Sequence, residues 1–207
     1  NPFKAHLTPP VAQMFDTLGR YSSFVYKIIF SNIKLFLPVL DLICKKSGGE
    51  FNALMRTTVA FTQAQGSQAS NVIPPSASFI SNMRLNPADN IEDALEYIKA
   101  TINDKNVEVS LIHGMNPSRI STTECFGFDA VASAIASTWS GCIVSPYLMV
   151  QCSDSRHWGR ISDKVYRFSA MDLTSQERAT IHGNNERIRL EALDKTVEFY
   201  LRLMKNC

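Results

Sequence analysis

The sequence predicts an α/β chain in two parts: a helical stretch feeding a small antiparallel sheet, then a closing stretch that alternates helix, strand and helix. Three observations carry that reading. Apolar residues between Pro9 and Lys46 recur at helical spacing. Period-two alternation marks short strands around a capped helix, and the final residues repeat apolar side chains as a surface helix does.

In chain order, Phe24, Val25, Ile28, Ile29, Leu35, Phe36, Val39, Leu40 and Ile43 form the apolar side of the first stretch. Lys27, Ser31, Lys34, Asp41 and Lys45 form a narrow polar stripe. Pro38 lacks an N–H and its ring crowds the preceding turn, so it is expected to kink or break the helix. The lysines, the aspartate and this proline interrupt the run too closely for a membrane span. The stretch reads as a helix pair buried against its own domain or as a lipid-facing or acyl-chain-binding surface.

Met55, Thr57, Val59 and Phe61 then alternate as one face of a strand. Gly66 to Ser70 supplies a turn-rich linker, and Ala77, Phe79, Met83 and Leu85 mark a second strand. Asn90 caps a helix with Ile91, Leu95, Ile98 and Ile102 on its core side, and Val107, Val109 and Leu111 predict a third strand. Strand, strand, helix, strand is the tail of a split βαβ arrangement without its opening strand and helix.

From about Ser121 the pattern changes. Phe126, Ala130, Val131, Ala134 and Ile135 mark a helix, and Cys142 to Val144 with Tyr147 to Val150 reads as a buried strand interrupted by Pro146. The polar loop from Gln151 to Gly159 leaves that strand at its carboxyl end, where ligands bind in open α/β sheets. Ile188, Leu193, Val197, Tyr200, Leu201 and Met204 specify the closing helix.

Composition narrows the function classes. With 207 residues, 45% hydrophobic and 19% charged, the chain can bury the core of one large domain or two small ones. A net charge of only +2, without a basic stripe interleaved with aromatics, argues against a nucleic-acid partner. The five cysteines, Cys44, Cys125, Cys142, Cys152 and Cys207, show no Cys-x-x-Cys spacing and read as free thiols in a reducing, cytoplasmic setting. The chain opens at Asn1-Pro2-Phe3-Lys4 without an initiator Met, so it is expected to begin inside a longer protein.

Site chemistry is densest from Ser153-Asp154-Ser155-Arg156-His157 to Phe168 and in Ile181-His182-Gly183-Asn184-Asn185-Glu186-Arg187. An imidazole beside amides and a carboxylate, just ahead of a periodic helix, has the make-up of part of a metal site. No other segment offers a His-x-Asp pair, a Glu-Glu pair or a His/Cys cluster at ligand spacing. On local sequence alone, His182 reads as a surface or satisfied core residue, Arg84 as a solvated strand arginine and Asn71 as a turn residue ahead of Pro74.

Arg56-Thr57-Thr58-Val59-Ala60-Phe61-Thr62, Asn71-Val72-Ile73-Pro74-Pro75 with Arg84, Pro146-Tyr147-Leu148-Met149, Ser153-Asp154-Ser155-Arg156-His157, Val165-Tyr166-Arg167-Phe168 and His182-Gly183-Asn184-Asn185-Glu186 follow in that order. Together they resemble the dinuclear zinc family of exopeptidases and aminoacylases, in the branch of carboxypeptidase S (Gly-X carboxypeptidase) and the N-acyl amino acid hydrolases. The resemblance runs through nearly the whole chain.

It implies an α+β lid with an antiparallel sheet over residues 1–119, carrying a helical insertion at about 9–46. Residues 120–207 would be the C-terminal part of an α/β/α zinc-exopeptidase catalytic domain. By the same resemblance His182 is the last metal ligand, with Glu186 steadying its imidazole. Asn71 and Arg84 bind substrate across a homodimer formed through the lid, and Asp154 and Arg156 line the substrate loop. Gln151 and Cys152 stand where the family usually has glycines, so side chains occupy positions where backbone would approach substrate. His157 and His113 inherit no role.

The implied activity is zinc-dependent hydrolysis, with two zinc ions per site, of the amide bond of peptides or N-acyl amino acids bearing a free carboxylate. The other metal ligands and the general base are absent from this chain, so it is expected to be inactive by itself. Two other readings stand beside this one: a non-catalytic dimerisation or binding module, and a lipid-associated protein using the 24–43 helix in membrane contact.

Overall fold

The computed structural model describes residues 2–207; Asn1, where the expectation of an upstream segment was anchored, lies outside them. The elements are helices α1 (Pro9–Tyr21), α2 (Phe24–Ser31), α3 (Ile33–Ser47) and α4 (Gly49–Met55), strands β1 (Thr58–Gln65) and β2 (Ser78–Arg84), and helices α5 (Ile91–Ile102), α6 (Phe126–Thr138), α7 (Ser155–Trp158), α8 (Ser175–Arg178) and α9 (Leu190–Lys205). Mixed helices with a two-stranded antiparallel sheet meet the expected α/β class. The chain divides into two compact units. The first runs to Ile120 and takes in Tyr147–Arg156; the second comprises Ser121–Pro146 and His157–Cys207.

In the first unit, Pro9 and Pro10 open α1, where a proline's fixed φ is already helical and its missing N–H is no loss. Val11, Met14 and Phe15 fall on one face and are buried with Cys44, Leu54 and Met55. Gly19 admits α2: a Cβ there would sit 2.9 Å from Phe30 Cβ, and the Phe15 and Phe30 rings lie 5.2 Å apart. Pro38, expected to kink or break the helix, lies inside α3 without ending it. It is exposed, so water can satisfy the carbonyl that its missing N–H leaves free. The breaks fall instead at Ser22 and at Asn32, whose side-chain amide donates to Ile28 O at 2.9 Å.

Arg56 ties this unit together. Its guanidinium, only 1% exposed, donates to Phe3 O at 2.9 Å and pairs closely with Asp41 of α3. Burial lowers its pKa from the ordinary arginine value, yet Asp41 gives the charge a partner. From there the chain enters β1, which pairs antiparallel with β2 from Thr58↔Arg84 to Gln65↔Ser78, with a bulge between Phe61 and Gln63. Asn90 caps α5 as expected, its side chain accepting from Asp93 N–H at 2.8 Å.

Two expected strands do not form among the described residues. Residues 107–111 and 142–150 carry the apolar alternation but find no pairing neighbour, and a strand exists only as one partner of a ladder. Leu148 and Val150, assigned by sequence to the closing part, pack against the core of the first unit.

In the second unit α6 packs against α9. Ala134, Ile135, Ala170 and Phe199 form its core, with the rings of Trp139 and Phe168 5.8 and 5.0 Å from that of Phe199. The closing helix forms as expected, but its buried face is Ala192, Thr196, Phe199 and Leu203 rather than the anticipated Leu193, Val197, Leu201 and Met204, which are exposed. Small residues at 192 and 196 allow close approach; Thr196 Oγ1 donates to Ala170 O at 2.5 Å.

Candidate functional site

The β1–β2 hairpin sets where two of the expected substrate-binding residues can act. Asn71 lies exposed in the turn beyond Gln65 and Ser78, whereas Arg84 closes β2 at the opposite end, opposite Thr58. The strand between spans about 20 Å at 3.4 Å per residue.

Arg84 meets the loop that carries Asp154 and Arg156. Its Nη1 lies 2.6 Å from the Sγ of Cys152, one of the two residues standing where glycine was expected. The loop is shaped locally: Arg156 N–H donates to Ser153 O at 3.2 Å, and Ser155 N–H to Ser153 Oγ at 3.3 Å. Asp154 and Arg156 are exposed. Arg84, Cys152, Asp154 and Arg156 thus belong to one unit, and the thiol against the guanidinium is a contact that sequence reading did not anticipate.

His182 and Glu186 belong to the second unit. His182 is exposed in a turn with φ 62°, a left-handed conformation uncommon for a side chain of its size, and Asn185 repeats it at 61°. The Glu186 carboxylate accepts from the backbone N–H of His182 at 3.1 Å, so it shapes the turn through the main chain. The base of this segment is pinned by a residue missing from the sequence-level site. Glu177 makes a capping box with Thr174 and accepts from Arg189 Nε at 2.9 Å, while Arg189 Nη2 donates to Asp172 O at 2.7 Å. The backbone N–H and hydroxyl of Thr174, then Arg189, pull the Glu177 carboxyl down to about 2. Thr174-Ser175-Gln176-Glu177 carries the Ser/Thr-x-x-Glu signature that could have revealed it.

Elsewhere in the second unit, Tyr166 OH donates to Thr122 O at 2.6 Å and lies 2.7 Å from the Cys125 thiol. Burial and that thiol push the tyrosine up to about 12, and the tyrosine's hydrogen bond lowers the thiol. Ser121 Oγ joins the same two segments by donating to Val165 O and accepting from Val165 N–H. These contacts secure the Val165–Phe168 motif as structure. An open hollow on the hairpin, lined by Phe61, Thr62, Gln63, Ala64 and Phe79, includes none of the candidate site residues.

Among the described residues, no group of three or more His, Cys, Asp or Glu side chains could hold a metal ion. His182 offers one imidazole donor toward the implied zinc site.

Residues 20–110 match the model of a peptidase dimerisation domain. The chain is 36% identical over 198 residues to an N-fatty-acyl-amino acid synthase/hydrolase of Xenopus tropicalis, covering 95% of this chain and 38% of that protein. It is 31% identical over 194 residues to a probable carboxypeptidase S-like protein of Dictyostelium discoideum, covering 93% and 37%. A second N-fatty-acyl-amino acid synthase/hydrolase, from Danio rerio, is 31% identical over 199 residues, covering 95% and 38%. The chain thus spans less than two fifths of the length of these curated relatives. No solved structure gives a significant match.

Proposed function

We propose, from the dimerisation-domain match over residues 20–110 and the similarity to carboxypeptidase S-like and N-fatty-acyl-amino acid synthase/hydrolase proteins, that the chain belongs with them and is the substrate-clasping part of a zinc-dependent amide hydrolase. The whole protein would cleave peptides or N-acyl amino acids that carry a free carboxylate. The observation that supports this best is the joint between Arg84 and the loop that carries Asp154 and Arg156. A guanidinium fork matches a carboxylate through two parallel hydrogen bonds, and it tells a free acid from an ester or an amide.

Asn71 supplies the second function, an amide N–H donated to the scissile carbonyl oxygen as its negative charge grows. Asn71 and Arg84 together would reach the substrate held by a second copy of the chain, which gives a homodimer a chemical purpose. His182 contributes one imidazole to a metal site whose other ligands come from outside these residues, and the Glu177–Arg189 pin holds its turn in place.

The test uses both lengths of the protein. The 207-residue chain is expected to show no hydrolysis of N-acyl amino acids at any zinc concentration; turnover would mean that the missing ligands have been misplaced. The whole protein should hydrolyse them, stop on chelation and recover with zinc, and activity indifferent to chelators would refute the metal reading. Arg84→Ala in that protein should raise KM for acids at least about tenfold, the worth of a lost charge-assisted pair. An unchanged KM would remove Arg84 from the site.

A further inference from the structure

Helices α2 and α3 turn a broad apolar surface outward. Phe24 and Leu35 are each 76% exposed and Leu42 is 66% exposed, with Val25, Ile28, Val39 and Ile43 also open. On α3, Leu35, Val39, Leu42 and Ile43 share one stripe, while Ile33, Leu37 and Cys44 face the core. A contiguous apolar surface of this kind marks an interaction site.

The charges around the stripe say what it meets. Between Phe24 and Ser47 there are four lysines, Lys27, Lys34, Lys45 and Lys46, and one acid, Asp41. Asp41 is turned inward to the buried Arg56 and also holds Lys45. Lys34 and Lys45 flank one side of the α3 stripe and Lys46 closes its end, while Lys27 flanks Phe24, Val25 and Ile28 on α2. Lysine stems of this kind lie along apolar surface with their ammonium heads reaching outward. A second copy docked through the same face would set lysine against lysine with no acid to answer it. At eight and 15 residues the two helices are also too short to cross a bilayer, so they can only lie along one.

We propose that α2 and α3 form a docking surface for an anionic bilayer, with Phe24, Ile28, Leu35 and Leu42 entering the acyl boundary and Lys27, Lys34 and Lys46 at the headgroups. This does not rest on the hydrolase reading. It places the chain against a lipid surface whatever reaction the whole protein performs.

Co-sedimentation of the 207-residue chain with vesicles of phosphatidylcholine, with and without phosphatidylserine, tests it. Binding should require phosphatidylserine, weaken with salt and fall at least about tenfold in Leu35→Asp/Leu42→Asp. In Lys27→Glu/Lys34→Glu it should fall by on the order of fivefold or more per lysine. The charge pair keeps the test valid if the aspartates disturb folding, which circular dichroism reports. No binding, or binding untouched by the lysine changes, overturns the proposal. So does self-association in sedimentation velocity that the leucine changes abolish while vesicle binding is absent.

Discussion

The Glu177 carboxylate pins the base of the turn that presents His182. Its pKa is depressed from 4.5 to about 2, chiefly by the Thr174 backbone N–H. A depressed folded-state pKa adds stability that is complete above the ordinary value and is lost as pH falls towards the folded one. The amide resonances of His182 to Asn185 should therefore hold steady down to about pH 4.5 and shift together between there and about pH 2. In Glu177→Gln that step should vanish; a wild-type turn unmoved across the window would show that the pin does not hold it. Much of this scale was open to sequence reading. Asn90 as a cap and Thr174-x-x-Glu177 as a capping box are local, and locality is what a sequence preserves. The Arg84–Cys152 contact was not open, because it joins residues 68 apart and nothing at either position signals the other.

Helices and strands differ in what sequence can say of them. α5, α6 and α9 fall where periodicity put them, since a helix closes its hydrogen bonds within its own segment. Residues 107–111 and 142–150 have strand patterning without a ladder among the described residues, and no reading of one segment can count its neighbours. The buried face of α9 was misjudged for a related reason. Both sides of the helix carry apolar residues, and α6 takes the side where Ala192 and Thr196 are small. Element packing also fixes where substitution should hurt most. Arg56→Ala leaves Asp41 with Lys45 alone and removes the tie to Phe3, a loss of about 2–3 kcal/mol by urea unfolding. Phe199→Ala empties the centre of the second unit and should cost about 3–5 kcal/mol. A change under about 1 kcal/mol in either would mean that the neighbours collapse to fill the gap.

For the molecule as a whole, the order of motifs pointed to a lid joined to the end of a catalytic domain; the dimerisation-domain match over 20–110 and the relatives resemble that family over the part of them that this chain spans. Which residues share a site was less open, since that depends on distances along the hairpin and on parts of the relatives that this chain does not span. A hairpin lent to the partner has a genetic consequence. If Arg84 serves the other subunit's substrate while His182 serves its own, two crippled proteins can rescue each other. Whole-length Arg84→Ala and His182→Ala, each nearly dead, should on mixing and subunit exchange regain about one quarter of wild-type activity, because half the dimers are mixed and each restores one of its two centres. Alleles that never complement would place both side chains in the same protomer's centre.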